Sequence, residues 1–152
     1  LCGKDHGFMP IVVVAKSPDD FNQWIEAEGA RLAKLKAAEQ ELLSMQMTMA
    51  EAMTLGEKVY QGYCAACHQA GGTGLPGVFP ALKGSKMATL ADQKAAHINI
   101  VLNGKAGTAM QAFGKQLSLQ EIAAVISYER NAWDNNTGDV VQAADIAKAQ
   151  KP

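Results

Sequence analysis

The sequence predicts an all-α fold, and three observations carry the prediction. Two capping boxes, Thr48-x-x-Glu51 and Ser118-x-x-Glu121, each open a run with helical spacing of apolar residues. A third run, Leu90 to Leu102, closes on the helix stop Asn103-Gly104. Only Ile11-Val12-Val13-Val14, a β-branched run after Pro10, reads as a strand. With 152 residues, 48% of them hydrophobic and 19% charged, the chain holds one domain, or one small domain with a flanking element. A net charge of -1 without a basic block excludes a nucleic-acid footprint. No apolar run approaches the roughly 20 residues of a membrane span.

Four zones follow in order. Residues 1–16 are rich in Gly, Pro and Val. Residues 17–47 form a charged helical linker, opened by Ser17 as N-cap, Pro18 at the first helical position and Asp19 and Asp20 in the first turn. Phe21, Trp24, Ile25, Leu32, Leu35, Leu42 and Leu43 give it a broken apolar stripe, and Gly29 is expected to break or kink it. The Ala-, Lys- and Glu-rich stretch from Ala30 to Glu41 reads as solvated helix. Residues 48–133 form the main domain. Its first helix runs through Gly56, Val59 and Tyr60, and its last through Ile122, Val125, Ile126 and Tyr128, with glycine-rich loop at residues 71–77. Residues 134–152 read as a polar tail.

The chemistry is concentrated in Cys64-Ala65-Ala66-Cys67-His68. Two cysteines three apart followed at once by histidine form an attachment site for c-type haem. Each thiol can add across one haem vinyl group, and His68 is then held under the porphyrin as an iron ligand. A zinc site would need four ligands, and no second Cys/His pair follows. A thioredoxin-type pair is expected near a βαβ pattern, which is not visible. The low aromatic content, 6%, suits a core completed by a cofactor.

The sixth iron ligand has to come from elsewhere. Of seven methionines, Met45, Met47, Met49 and Met53 precede the motif and read as helix and core packing. Met87 and Met110 follow it. Met110 lies in the glycine-rich loop Asn103 to Gly114, which can fold across the distal face and offer a thioether sulfur. Such a ligand raises the potential of haem iron. His97 is the rival, and reads rather as a surface or hydrogen-bonded histidine. The Pro80 carbonyl, in Pro80-Ala81-Leu82, can accept the Nδ1–H of His68 and fix the ring.

The chain resembles a class I cytochrome c domain. Gly56 and Tyr60 resemble the family's first helix, Val125 and Tyr128 the partner positions on its last helix, and Pro80 and Leu82 the haem-packing loop. Gln111 stands where many members have proline. The resemblance implies helices crossing closely at Gly56, a covalent haem held by Cys64, Cys67, Pro80 and Leu82, and His68 and Met110 on the iron.

Leu1 to Pro10 is also similar to the end of the dinuclear copper (CuA) motif in subunit II of cytochrome c oxidase. Cys2, His6 and Met9 match copper ligands there, and Ile11 to Val14 would be a remnant of the cupredoxin β-barrel. Tyr128 to Gln142 resembles subunit II chains with a fused cytochrome c domain. This implies a C-terminal fragment of such a bacterial subunit, with copper bound only in the intact parent. The start at Leu1-Cys2-Gly3, without initiator methionine or signal peptide, fits a piece of something longer.

The expected function is one-electron transfer from a respiratory donor, cytochrome c or quinol–cytochrome c reductase, to CuA and on to catalytic subunit I. The domain itself is then a transfer module and the parent an oxidoreductase. The expected place is the periplasmic face of the bacterial inner membrane, with membrane contact only through absent N-terminal helices. The alternatives are a free-standing soluble carrier and a haem sensor or peroxidase with an open sixth site.

Overall fold

The computed structural model describes residues 12–150. The elements are α1 (Pro18–Ser44), α2 (Met49–Tyr63), α3 (Ala65–His68), α4 (Lys86–Thr89), a 3₁₀ turn (Ala91–Gln93), α5 (Lys94–Asn103), α6 (Leu119–Asn131) and α7 (Ala143–Ala149). The chain divides into two units, residues 1–39 and 40–152.

In the first unit, α1 passes through Gly29 without a break. A mid-helix glycine costs about 1 kcal/mol relative to alanine, too little to stop a capped helix. Phe21, Trp24, Ile25, Leu32 and Leu35 are each 46–54% exposed, so the stripe is open to solvent. The strand expected at Ile11–Val14 does not form among the described residues. Val12, Val13 and Val14 belong to no strand and are exposed, so the cupredoxin remnant is not supported. A β-branched run needs a partner strand to satisfy its backbone. Ile11 lies outside the described residues, as do Cys2, His6 and Met9.

The second unit is built on α2 packed against α6. Both capping boxes form: Thr48 and Ser118 each accept from the backbone N–H three residues on, and Glu51 and Glu121 reach back. The helices meet at Gly56, where a Cβ would sit 2.3 Å from the Ala124 carbonyl oxygen and 2.6 Å from Tyr128 Cβ. Tyr60, Tyr128 and Trp133 pack their rings together, with centroids 4.7–5.6 Å apart. The Tyr60 hydroxyl donates to the Gln69 carbonyl at 2.7 Å, pinning the chain where it leaves α3.

Residues 134–150 pack against the bundle rather than forming the expected free tail. Val141 and Ile146 are fully buried, and α7 packs on α6 and α5. Gln142 brackets Met47, accepting its N–H at 2.8 Å and donating to its carbonyl at 3.0 Å. The polar composition hid two aliphatics that do the anchoring.

Arg130 is fully buried and meets Asp139 through Nε (2.9 Å) and Nη2 (3.1 Å). Burial alone would raise the Asp139 carboxyl. Hydrogen bonds from Arg130 and Thr137 and the Arg130 charge outweigh it and hold the carboxyl below its usual range. Its stabilisation is therefore present above the unfolded carboxylate pKa of about 3.9 and is lost as pH falls through the lower folded value. Asp139→Asn is expected to cost about 2 kcal/mol at neutral pH, less than a fully buried pair because the Asp139 side chain is 32% exposed. Denaturant melts across pH check this: the gap between variant and wild type should close in acid.

Candidate functional site

Cys64 sits at the end of α2, its N–H donating to the Tyr60 carbonyl at 2.9 Å. The Cys64 carbonyl then accepts from Cys67 N–H (3.1 Å) and His68 N–H (2.9 Å). Both sulfurs and the imidazole are thus carried on one short turn, and both thiols are free. Burial pushes the Cys64 thiol well above the usual range, and the charge of Glu129 adds to it.

The Pro80 carbonyl oxygen lies 2.8 Å from His68 Nδ1. A carbonyl can only accept, so Nδ1 carries the hydrogen and Nε2 keeps its lone pair for a metal. The loop bearing Pro80 is held from both sides. Leu82 N–H donates to the Gly72 carbonyl at 2.8 Å. The buried Asn135 side chain donates to the Leu82 (3.1 Å) and Glu129 (2.7 Å) carbonyls and accepts from Gly84 N–H (2.7 Å). Asn135 is a positioning residue that sequence reasoning missed, because nothing in Asn135-Asn136 separates it from ordinary loop.

These residues line one cavity of about 410 Å³, which Cys64, Cys67, His68, Pro80, Leu82 and Met110 all reach. Its size falls in the roughly 300–1,000 Å³ of small-molecule and cofactor sites. Met110 is placed by the turn after α5. Lys105 N–H donates to the Met110 carbonyl at 3.0 Å. Gly104 has φ +71°, and a Cβ there would lie 2.7 Å from that same carbonyl oxygen, so the turn requires glycine. Met87, on α4, reaches the cavity too, whereas Met45 and Met47 line a separate groove of about 570 Å³ beside Gln142.

His97 also lines the cavity, but its Nε2 lies 2.7 Å from Glu129 Oε2, and both side chains are buried. It is thus a hydrogen-bonded histidine. Glu129 was missed by sequence reasoning, although a signal was present. It continues the apolar stripe of Ile122, Val125 and Ile126, where a carboxylate needs a buried partner.

A haem suits this donor set: two thiols on one turn, an imidazole with its metal-binding nitrogen free, and a thioether in a loop on the same cavity. Among the described residues no three His, Cys, Asp or Glu side chains gather to hold a metal ion by themselves. No helix among them is long and apolar enough to cross a membrane.

Residues 51–128 match the family described as cytochrome C oxidase, cbb3-type, subunit III. The cytochrome c subunit of the quinone alcohol dehydrogenase of Gluconobacter oxydans is 35% identical over 102 residues, which are 61% of this chain and 21% of that protein. The gluconate 2-dehydrogenase cytochrome c subunit of Pantoea cypripedii is 33% identical over 105 residues, 63% of this chain and 24% of that one. A cytochrome c-552 of Thermus thermophilus is 37% identical over 90 residues, 51% of this chain and 67% of that protein. The matched stretch thus spans only about a fifth to a quarter of the dehydrogenase subunits. The family match leaves residues 1–10, where the CuA ligands were expected, outside it.

Proposed function

This chain belongs to the cytochrome c family described as cytochrome C oxidase, cbb3-type, subunit III, and on that footing we propose that it relays single electrons through a haem that Cys64 and Cys67 would hold covalently and whose iron His68 and Met110 would ligate. The haem supplies a one-electron iron centre. The protein's residues do the rest. Cys64 and Cys67 form thioethers that keep the group in place. Pro80 holds the His68 tautomer and orientation, and Leu82 lines the same cavity. Met110 would supply a soft sulfur to the iron, which raises its potential and would leave no position for substrate. The carrying observation is the 2.8 Å contact from His68 Nδ1 to the Pro80 carbonyl, on the same cavity as both cysteines and Met110.

We further propose that the electrons come from a respiratory donor and pass to the CuA centre of an oxidase whose subunit II carries this domain. The likeness of Cys2, His6 and Met9 to copper ligands supports this. Fusion through residues 17–47 would raise the effective concentration of donor at acceptor. The place implied is the periplasmic face of the inner membrane. A second reading, a cytochrome module serving a quinone-linked dehydrogenase, is favoured by the names of the two dehydrogenase relatives.

Rapid mixing separates the two. The ferrous haem-loaded chain is mixed with an isolated oxidised CuA domain, and the ferric chain with a substrate-reduced quinone-linked dehydrogenase. Fast oxidation by copper is expected. Electron exchange with the dehydrogenase alone would move the assignment to the second reading.

A further inference from the structure

His97 and Glu129 are a buried acid–base pair that electron transfer does not by itself require. His97 projects from α5 and Glu129 from α6, and their side chains are 3% and 4% exposed. Both line the cavity that holds Cys64, Cys67, His68 and Met110. Nε2 of His97 is bonded to Glu129, while its Nδ1 is buried without a hydrogen-bond partner.

The charged neighbours do not neutralise Glu129. Arg130, next to it on α6, is bound to Asp139 and the Leu90 carbonyl. From α2, Tyr60 feels Glu129 as a negative charge: burial first, then that charge, pushes its phenol upward. At the end of α2, Cys64 shares the cavity with Glu129, Cys67 and His68, and after burial the Glu129 charge pushes its thiol upward. From the loop after α5, Lys105 reaches the cavity but is exposed. On α7, Asp145 accepts from the Gln142 N–H.

Haem attachment changes this balance. When Cys64 adds to a vinyl group its sulfur becomes a thioether, and the cavity loses a thiol that could donate to Glu129. The carboxyl then keeps His97 as its partner, in a site where an uncompensated charge is costly. Ferric haem carries one more positive charge than ferrous haem, so reduction removes the nearest compensation for Glu129.

We propose that His97 and Glu129 form a redox-linked proton site, taking up one proton when the haem gains one electron and releasing it on oxidation. The electron comes from the donor and resides on iron. The proton comes from water and is shared between His97 Nε2 and Glu129 Oε2. Both leave on reoxidation. The proposal rests on haem bound at Cys64 and Cys67.

The test is the reduction potential of the haem-loaded chain against pH, in wild type, Glu129→Gln and His97→Gln. In wild type the reduction equilibrium is expected to weaken with rising pH, approaching tenfold (about 59 mV) per pH unit at its steepest. Both variants should flatten that segment while keeping the absorption of methionine-ligated ferric haem. Redox-difference infrared spectra should show a carboxyl or imidazole band in wild type that Glu129→Gln removes. A potential independent of pH in the haem-loaded wild type would overturn the proposal alone, as would a slope unchanged in both variants. A chain that takes up no covalent haem during maturation would overturn the haem reading and the proposal with it. Should one variant fail to fold, the other and the wild-type infrared spectrum still decide.

Discussion

Replacing Met110 by alanine is expected to open the sixth position of the haem iron. The ferric protein should lose its long-wavelength methionine-to-iron absorption band, bind carbon monoxide readily when reduced, and fall in potential by at least roughly 0.1 V of the about 0.8 V span that axial ligands command. Met110 is placed for this by the Gly104 turn and the Lys105-to-Met110 hydrogen bond, and its loop needs no rearrangement to reach the cavity. Met87 reaches the same cavity from α4, so Met87→Ala is the decisive companion. It should leave band and potential nearly unchanged. The reverse result would assign the sulfur to Met87.

The second large effect is structural. Gly56→Val should destabilise the domain by about 3 kcal/mol or more, the upper end for overpacking, since the first atom met is a backbone oxygen that cannot turn aside. Separating α2 from α6 also shifts Tyr60, and with it the Gln69 anchor behind the haem-binding turn. Thermal or urea melts of the haem-loaded protein measure the loss. Gly62, on the same helix, has open space around it, with no atom within 4 Å of where a Cβ would sit. Gly62→Ala should therefore be neutral or stabilising by about 0.5–1 kcal/mol.

The sequence speaks most clearly where a short-range rule governs. Capping boxes at Thr48 and Ser118, the Asn103-Gly104 stop, and the turn carrying Cys64, Cys67 and His68 are all set by residues within a few positions of one another. The Pro80 contact to His68 was legible across twelve residues, because a metal-binding histidine needs an acceptor for its other ring N–H. Strand and tail were misread for one reason. Local pattern does not report tertiary partners: Val12 to Val14 have none among the described residues, and Val141 and Ile146 have the bundle. Glu129 and Asn135 escaped because a buried polar residue is defined by what surrounds it, and that surrounding comes from residues six to fifty-three positions away.

A haem that passes one electron and offers no open iron position is the central claim. A potentiometric titration of the haem-loaded chain, followed by its visible absorption with and without carbon monoxide, tests this most directly. Two superimposable one-electron curves are the expected result. A midpoint that rises when carbon monoxide is present would mean that the ferrous iron takes an outside ligand, and would contradict closure by His68 and Met110.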